Sequence, residues 1–453
     1  MSATSPVRFP DASSREVMTR RGWTLVLLNL VIPGSAQLLA GNRKLGRFGV
    51  GATFTLWAAL ILAAILWFAA RFVVLSIATN GIALLAVQAV IVFYVGLWIV
   101  LTLDTLRLVR LVRTGSVARS FIAGFAVVAL ALAGATAGYG FVVSNSARGL
   151  ISEVFSGGKI AEPIDGRYNI LLLGGDAGPD RLGLRPDSIS VVSIDATTGA
   201  ATIIGIPRNL QRVTFPAGSV MAAEFPTGYD CGPECLVSYL YTYGEEHPDL
   251  YPNALAEGSE PGIEAMRDAA QGVTGLEIQY FTLIDMQGFA QLIDALGGID
   301  IESTGRYPIG GSDGSDEPYA APDGWIEPGQ QHMSGKIALW YARSRHGTSD
   351  YDRMQRQRQV QEAILTQMEP ANVLAKFEGV ASAGSQVVST DIPAAMLGYF
   401  VDLASKTRAL PVEKLNLVPE NGVNVIHPDF AAIHAMVDAA LAHSVPTSTP
   451  TPK

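Results

Sequence analysis

Tyr168-Asn169-Ile170-Leu171-Leu172-Leu173-Gly174-Gly175 decides the fold class of the second half of this chain. It is an unbroken apolar run of strand length that stops at two glycines, as expected for a strand buried on both faces. Two more strands follow. Residues 187–195 form the second, Thr197-Thr198-Gly199 supplies a turn, and residues 201–206 form the third, stopped by Pro207. So short a turn predicts a hairpin. Beyond it, helices are expected at 262–274, 285–296, 334–342 and 349–369, and strands at 279–284 and 299–303. Residues 371–440 add further helices and one strand at 414–417, while 216–260 and 305–329 read as loops. Strands mixed with helices around buried apolar runs predict an α/β domain. It has a mixed central sheet flanked by helices, three layers in all, and spans 169–440. The tail 441–453 ends in alternating Pro, Thr and Ser and is expected to be disordered.

Upstream the texture is different. Residues 48–70, 81–103 and 121–143 are apolar and long enough to span a bilayer, which needs roughly 20 residues. Residues 23–40 are shorter and broken by Asn29, Pro33-Gly34-Ser35 and Gln37. Arg43, Lys44 and Arg47 lie in one short loop and Arg107, Arg110, Arg113 and Arg119 in another, so both loops are expected to be cytoplasmic. The α/β domain then lies outside the cell. The arginine-bearing N-terminus, 1–22, stays inside only if 23–40 is a re-entrant or interfacial hairpin. The expected order is therefore a cytoplasmic tail, a helical membrane region 23–143 with three spans, a linker 144–168, and the domain.

Charge follows the same division. Residues 1–150 carry 13 Lys and Arg against 3 Asp and Glu, and residues 151–453 carry 19 against 38. Five of those nineteen lie within 341–360: Arg343, Arg345, Arg353, Arg356 and Arg358. An acidic domain that gathers arginine in one place suits a local anion better than a long polyanion, so nucleic acid is not expected as a partner. Cys231 and Cys235 are the only cysteines. Outside the cytoplasm a small-loop disulfide is the better reading, and two unpaired buried thiols are the alternative. No Walker loop, GxSxG elbow or HExxH motif is present.

Three groups of residues carry candidate chemistry. Asp176 and Asp187 flank a strand–strand connection, a placement that suits Mg²⁺ bound by two carboxylates, although turn-forming Asp residues look the same. Arg208 leaves the end of the third strand directly after Pro207. On the helix from 349, Arg353, Arg356 and Gln357 share a face, whereas Arg358 points away and is expected to meet solvent. Few acids lie among these arginines, and a planar guanidinium fork matches phosphate. Two acids and four or five arginines without a strong nucleophile fit phosphoryl transfer.

Asn169–Asp176, Arg185-Pro186-Asp187-Ser188-Ile189, Ile206-Pro207-Arg208, and Tyr341-Ala342-Arg343-Ser344-Arg345 with Asp352-Arg353 and Arg356-Gln357 together resemble the LytR–CpsA–Psr family. The resemblance covers about 169–440. The multi-span N-terminus and the Cys231/Cys235 loop resemble its actinobacterial members. It implies a membrane-anchored phosphotransferase of cell-wall assembly. Such an enzyme moves a glycopolymer from a polyprenyl-pyrophosphate carrier to peptidoglycan through a phosphodiester bond. It implies Asp176 and Asp187 as ligands of Mg²⁺, or another hard cation such as Mn²⁺. Arg208, Arg343, Arg345, Arg353 and Gln357 would be the pyrophosphate binders, Arg356 would support them, and Arg181 and Arg185 would lie in a substrate-binding loop. It also implies an apolar tunnel for the prenyl chain, for which the runs 262–300 and 371–405 are candidates. Asn209 departs from the family, which often has Asp there. Asp180, Asp350 and Asp352 are the candidates for a general base. Competing readings keep the site but change the outcome: a polyprenyl-pyrophosphate hydrolase, or a membrane regulator or lipid-pyrophosphate binder without turnover.

Overall fold

The structure, a computed structural model, describes residues 7–155, 158–175, 186–310, 322–344, 348–367 and 388–444. The chain separates into two compact units, Met1–Arg148 and Gly149–Lys453.

The first unit is helical. Ser14 caps α1 (Arg15–Val31), its Oγ accepting from the Val17 N–H. The chain bends through residues 32–34, with Gly34 at φ +98°, into α2 (Ser35–Ala40). The bend lies where Pro33-Gly34 predicts it. Gln37 Nε2 donates to Leu101 O at 2.7 Å and to Thr105 Oγ1 at 2.9 Å, pinning the hairpin to a longer helix. Next come α3 (Arg43–Ala69), the short α4 (Arg71–Ala78), α5 (Gly81–Val109) and α6 (Ser116–Val154). Among the described residues, three helical stretches are long and apolar enough to cross a membrane: Arg43–Ala69, Gly81–Arg113 and Ser116–Gly149. Residues 71–78, for which no element was expected, form a helix of their own. One expectation changes: α6 continues to Val154 through part of the stretch expected to be linker. Small residues there, such as Ser144, Ser146 and Ala147, break the apolar pattern but not the helix.

The second unit is built on β1 (Arg167–Gly175), β2 (Pro186–Asp195) and β3 (Ala201–Ile206). Then follow α7 (Val220–Glu224), α8 (Tyr239–Glu246), α9 (Pro261–Thr274), β4 (Tyr280–Asp285), α10 (Met286–Leu296) and β5 (Ile299–Ser303). After these lie β6 (Tyr307–Ile309), β7 (Gly324–Ile326), β8 (Gly329–Met333), α11 (Gly335–Arg343) and α12 (Asp350–Gln367). The chain ends with β9 (Val388–Thr390), α13 (Ala394–Thr407), β10 (Glu413–Asn416) and α14 (Phe430–Ser444). The main sheet runs β10-β3-β2-β1-β4-β9, with β1–β2, β2–β3 and β4–β9 antiparallel and β1–β4 and β3–β10 parallel. The sheet is mixed, as expected.

Strand alternation divides the core into two layers. Leu171, Leu173, Ile189, Val191, Ile204 and Ile206 pack on one face against Ile263, Met266 and Val273 of α9 and Ile433 and Val437 of α14. Tyr168, Ile170, Val192, Ile194, Ala201 and Ile203 take the other face, with Leu403 of α13. The regions expected to be loops hold more order than predicted. Residues 216–260 contain α7, α8 and two 3-10 turns, and 305–329 contain β6 and β7. Elements of three to eight residues are too short for periodicity to stand out from Gly- and Pro-rich surroundings. For the same reason β8 and β9 escape a reading from sequence.

Candidate active site

The antiparallel pairing of β1 with β2 brings the end of one to the start of the other: Gly174 faces Ser188 and Gly175 faces Pro186, with an irregularity between the two glycines. Asp187 therefore stands at one end of the sheet. Arg208 leaves the end of β3 at the same place, and its Nη1 donates to Asp187 Oδ1 at 2.5 Å. From the helical layer, α12 supplies Arg353 and Asp350. Arg353 Nη2 reaches Asp350 Oδ1 at 3.0 Å and the Asp187 carbonyl at 3.4 Å, and Arg208 Nε lies 3.6 Å from Asp350 Oδ2. Two acids and two arginines thus alternate across the sheet–helix gap, although Arg208 and Arg353 are 145 positions apart.

These residues border a cavity of about 940 Å³. Asp187, Ser188, Arg208, Arg343, Arg353 and Gln357 line its polar end. Ile170, Leu172, Val192, Ile194 and Ile203 of the sheet line the rest, with Phe289 and Leu292 of α10 and Val360, Ile364 and Leu365 of α12. One helix carries the whole gradient. Along α12 the cavity-facing residues run Arg353, Gln357, Val360, Gln361, Ile364 and Leu365, a spacing that keeps one face toward the sheet. The volume lies within the range of small-molecule sites, and the mixture of apolar walls with a few convergent polar groups is typical of them.

The predicted site residues divide into several groups. Asp187, Arg208, Arg343, Arg353 and Gln357 come together at the polar end. Asp176, Arg181, Arg185, Arg345 and the candidate base Asp180 lie outside the described residues. Arg356 is close by but faces the protein: it is buried, its Nε donates to Tyr341 O at 2.9 Å, and its Nη2 donates to Ser344 O. It ties the start of α12 to the end of α11, so the support it gives to Arg343 is through the backbone. Arg358 corrects an expectation. It does not meet solvent; it is 1% exposed, and its Nη2 donates to Ser188 Oγ at 3.3 Å. Among the described residues its Nε and Nη1 have no hydrogen-bond partner, and burial pushes its pKa down to about 9. Helix periodicity assigns it to a side away from Arg353, but that side also lies under protein.

Asp352 is likewise used structurally. Its Oδ2 accepts from the Ser349 N–H and hydroxyl, both at 2.8 Å, and Ser349 Oγ accepts from the Asp352 N–H at 3.1 Å. This reciprocal cap starts α12 and holds the Asp352 carboxyl below its ordinary value. Cys231 and Cys235 form a disulfide with Cα atoms 5.3 Å apart. The cavity-lining residues Leu236, Ser238 and Tyr239 follow directly. The Val237 N–H donates to Leu210 O at 2.8 Å and the Ser238 N–H to Arg208 O at 3.3 Å, so this loop is laid against the segment that carries Arg208.

The tunnel candidates are partly corrected. Of 262–300, the α9 residues Ile263, Met266 and Val273 pack on the opposite face of the sheet, whereas Thr282, Ile284, Phe289 and Leu292 line the cavity. Residues 368–387 lie outside the described residues. The apolar walls missed from sequence are the alternate residues of β1, β2 and β3. Their strand parity was readable, but not which face would be left open. Asp285, which caps α10 by accepting from the Gly288 N–H at 2.7 Å, also lines the cavity and gave no signal in sequence.

A metal at this end would need hard oxygen donors. Asp187 is one, with Oδ1 engaged by Arg208. Among the described residues no group of three His, Cys, Asp or Glu could hold a metal ion.

The chain is similar in sequence to several known proteins. Over 231 residues the chain is 26% identical to Biofilm regulatory protein A of Streptococcus mutans, covering 50% of each chain. It is 24% identical over 312 residues to the cell wall biosynthesis protein LcpA of Corynebacterium glutamicum, covering 62% of this chain and 57% of that one. It is 24% identical over 259 residues to the polyisoprenyl-teichoic acid–peptidoglycan teichoic acid transferase TagU of Halalkalibacterium halodurans, covering 56% and 70%. The chain thus spans little more than half the length of the first two. The crystal structure of Bacillus subtilis TagV aligns with a TM-score of 0.44 at 20% identity, over 62% of this chain and 98% of that one. The profile of the LytR_cpsA_psr family matches residues 152–439, well over half of the chain, and the protein belongs to the LytR–CpsA–Psr family.

Proposed function

We propose that this protein is a phosphotransferase that moves a glycopolymer from a polyprenyl-pyrophosphate carrier to peptidoglycan. The observation that carries this reading is the graded cavity: one pocket that gathers arginines at one end and is apolar along the rest. A prenyl chain would lie along Ile170, Leu172, Val192 and Ile203, gaining about 0.8 kcal/mol per buried methylene. The diphosphate would meet Arg208, Arg343, Arg353 and the Gln357 amide. These donors neutralise charge that shifts toward the leaving phosphate, and positioning of this kind supplies most of the catalysis in phosphoryl transfer. A peptidoglycan hydroxyl attacks the sugar-side phosphorus. The new P–O bond is the phosphodiester, the bond to the bridging oxygen breaks, and polyprenyl phosphate leaves with the electron pair. Asp187, with Asp176 by family resemblance, would hold Mg²⁺ or Mn²⁺, which supplies further charge neutralisation. The names of the relatives, a teichoic acid transferase and a cell wall biosynthesis protein, support the substrate class. The arginine-rich loops 43–47 and 107–119 support a multi-pass protein whose domain faces outward.

The test is transfer by the full-length chain in lipid nanodiscs. The donor is a farnesyl-pyrophosphate-linked oligosaccharide, and the products are analysed with and without peptidoglycan. Phosphodiester-linked product should form only with the acceptor, and Arg353→Ala should abolish it. Equal release of saccharide phosphate without peptidoglycan would identify a hydrolase instead.

A further inference from the structure

The hairpin β6–β7 places a second strip of chemistry beside the mouth. Pro308 pairs with Trp325 and Ile309 with Gly324. Alternation therefore sends Tyr307, Ile309 and Ile326 to one face, and Pro308, Gly310, Asp323 and Trp325 to the other. The first face is fixed to the protein. Tyr307 and Ile326 are buried, and the Tyr307 ring stands edge-on to Tyr341 at 5.4 Å and 4.4 Å from the Arg356 guanidinium. This contact docks the hairpin on the end of α11, where Arg343 lies.

The second face opens on the cavity, which Pro308 and Gly310 line. Trp325 beside them is 39% exposed. Gly310 has φ +71°, and a Cβ there would come within 2.7 Å of Asp323 Oδ2, so the missing side chain leaves room for that carboxylate beside the rim. On the far side, the Arg306 guanidinium lies 4.1 Å from the Trp325 ring centroid, and its Nε donates to Glu327 Oε1 at 3.0 Å. Both members of this ion pair are more than half exposed, so it adds little stability, but it holds a cation over one face of the indole.

Outward from the rim the strip runs carboxylate, indole plane, guanidinium. A flat apolar surface between a fixed acceptor and a fixed donor suits a pyranose ring. Sugar C–H groups settle on the indole face that Arg306 does not cover, while hydroxyls at the edge of the ring donate to the carboxylate and accept from the guanidinium. Asp323 and Glu327 oppose a polyphosphate ligand at the same place. We propose that Asp323, Trp325 and Arg306 form a saccharide subsite for the first sugar of the donor glycopolymer. This rests on the reading of the mouth as the diphosphate site: with the lipid in the cavity and the phosphates at Arg343, the sugar leaves across this rim.

The experiment measures binding to the full-length chain in nanodiscs by calorimetry. The two probes are farnesyl diphosphate and farnesyl diphosphate esterified to N-acetylglucosamine. The wild type should bind the sugar-bearing probe about tenfold more tightly, an aromatic stacking gain. Trp325→Ala should erase that gain and leave farnesyl diphosphate within about twofold, whereas Trp325→Phe keeps part of it. Equal weakening of both probes, or no gain from the sugar in the wild type, overturns the subsite and leaves the diphosphate reading intact. A wild type that binds neither probe removes the diphosphate reading, and the subsite falls with it.

Discussion

Two arginines buried on the same helix, five positions apart, predict opposite outcomes. Arg353 has a carboxylate partner: Asp350 lies 3.0 Å away and is itself largely buried. Replacing Arg353 by Met strands that acid, which breaking a buried pair would penalise by about 3–5 kcal/mol. Arg208, 3.6 Å from Asp350, remains to compensate, and partial exposure softens the loss, so about 2 kcal/mol is expected. Among the described residues Arg358 has no such partner. Its described hydrogen bond is the one to Ser188 Oγ at 3.3 Å, and burial alone drives its pKa down. Met at that position fills similar space without a charge. Replacing a buried ion pair by apolar side chains gains up to about 1–4 kcal/mol, and the same relief of desolvation applies to this charge, less about 1.5 kcal/mol for the lost charged hydrogen bond. The net gain is about 1 kcal/mol. Thermal unfolding of the full chain in detergent should show Arg353→Met melting several degrees below the wild type and Arg358→Met about 2–4 °C above it. Farnesyl diphosphate binding should be lost in the first variant and kept in the second. An Arg358→Met protein that melts below the wild type would refute the reasoning, because it would mean that the buried guanidinium meets a counter-charge.

Leu172→Trp should fill the cavity wall. By excluding about four carbons at about 0.8 kcal/mol each it should weaken farnesyl diphosphate about two hundredfold, while inorganic pyrophosphate, measured alongside, is unaffected. Asp352→Ala removes the reciprocal cap of α12 and should lower stability to urea by about 1 kcal/mol at pH 6. The Asp352 carboxyl is held below its unfolded value of 3.8. Its contribution is therefore present above that pH and lost as pH falls through the folded value, so the gap between variant and wild type should persist down to pH 3.8 and narrow as the pH is taken lower. Replacing Cys231 and Cys235 together by Ser opens a five-residue loop worth about 2 kcal/mol, and should weaken farnesyl diphosphate binding by loosening Leu236 and Tyr239. Reductant added to the wild type should reproduce that effect, with no change in the double variant.

The sequence made the core strands legible because their physics is local. Residues 168–175 and 201–206 are apolar runs closed by Gly or Pro, and β1 and β3 lie there. Arg208, Arg353 and Gln357 were legible as candidates, and the structure brings them to one end of the cavity, but the pairing of Arg208 with Asp187 and of Arg353 with Asp350 was not. Nor was the burial of Arg358, since helix periodicity separates faces but does not say how many of them are covered. The cavity walls were also hidden. Ile203 and Ile204 are indistinguishable in sequence, and only the placement of α9 and α14 on one side and of α12 on the other decides which one borders open space. Short elements such as β6 and β7 depend on tertiary contacts, Tyr307 against Tyr341 among them, and carry almost no local signal.

The two faces of the sheet have a consequence for how this protein tolerates change. Along β1, Leu171 seals the solid side while Ile170 and Leu172 border the cavity, and Val191 and Val192 divide in the same way on β2. A saturation-mutagenesis scan of these strands should therefore give two traces with a two-residue beat, one for cellular abundance and one for growth dependent on the reaction. The abundance minima should fall on the solid-side positions. The cavity-side positions should lower growth more than abundance, so that the two signals run half a period out of phase. The phase alone would then report which side of a strand borders the cavity, without a bound ligand.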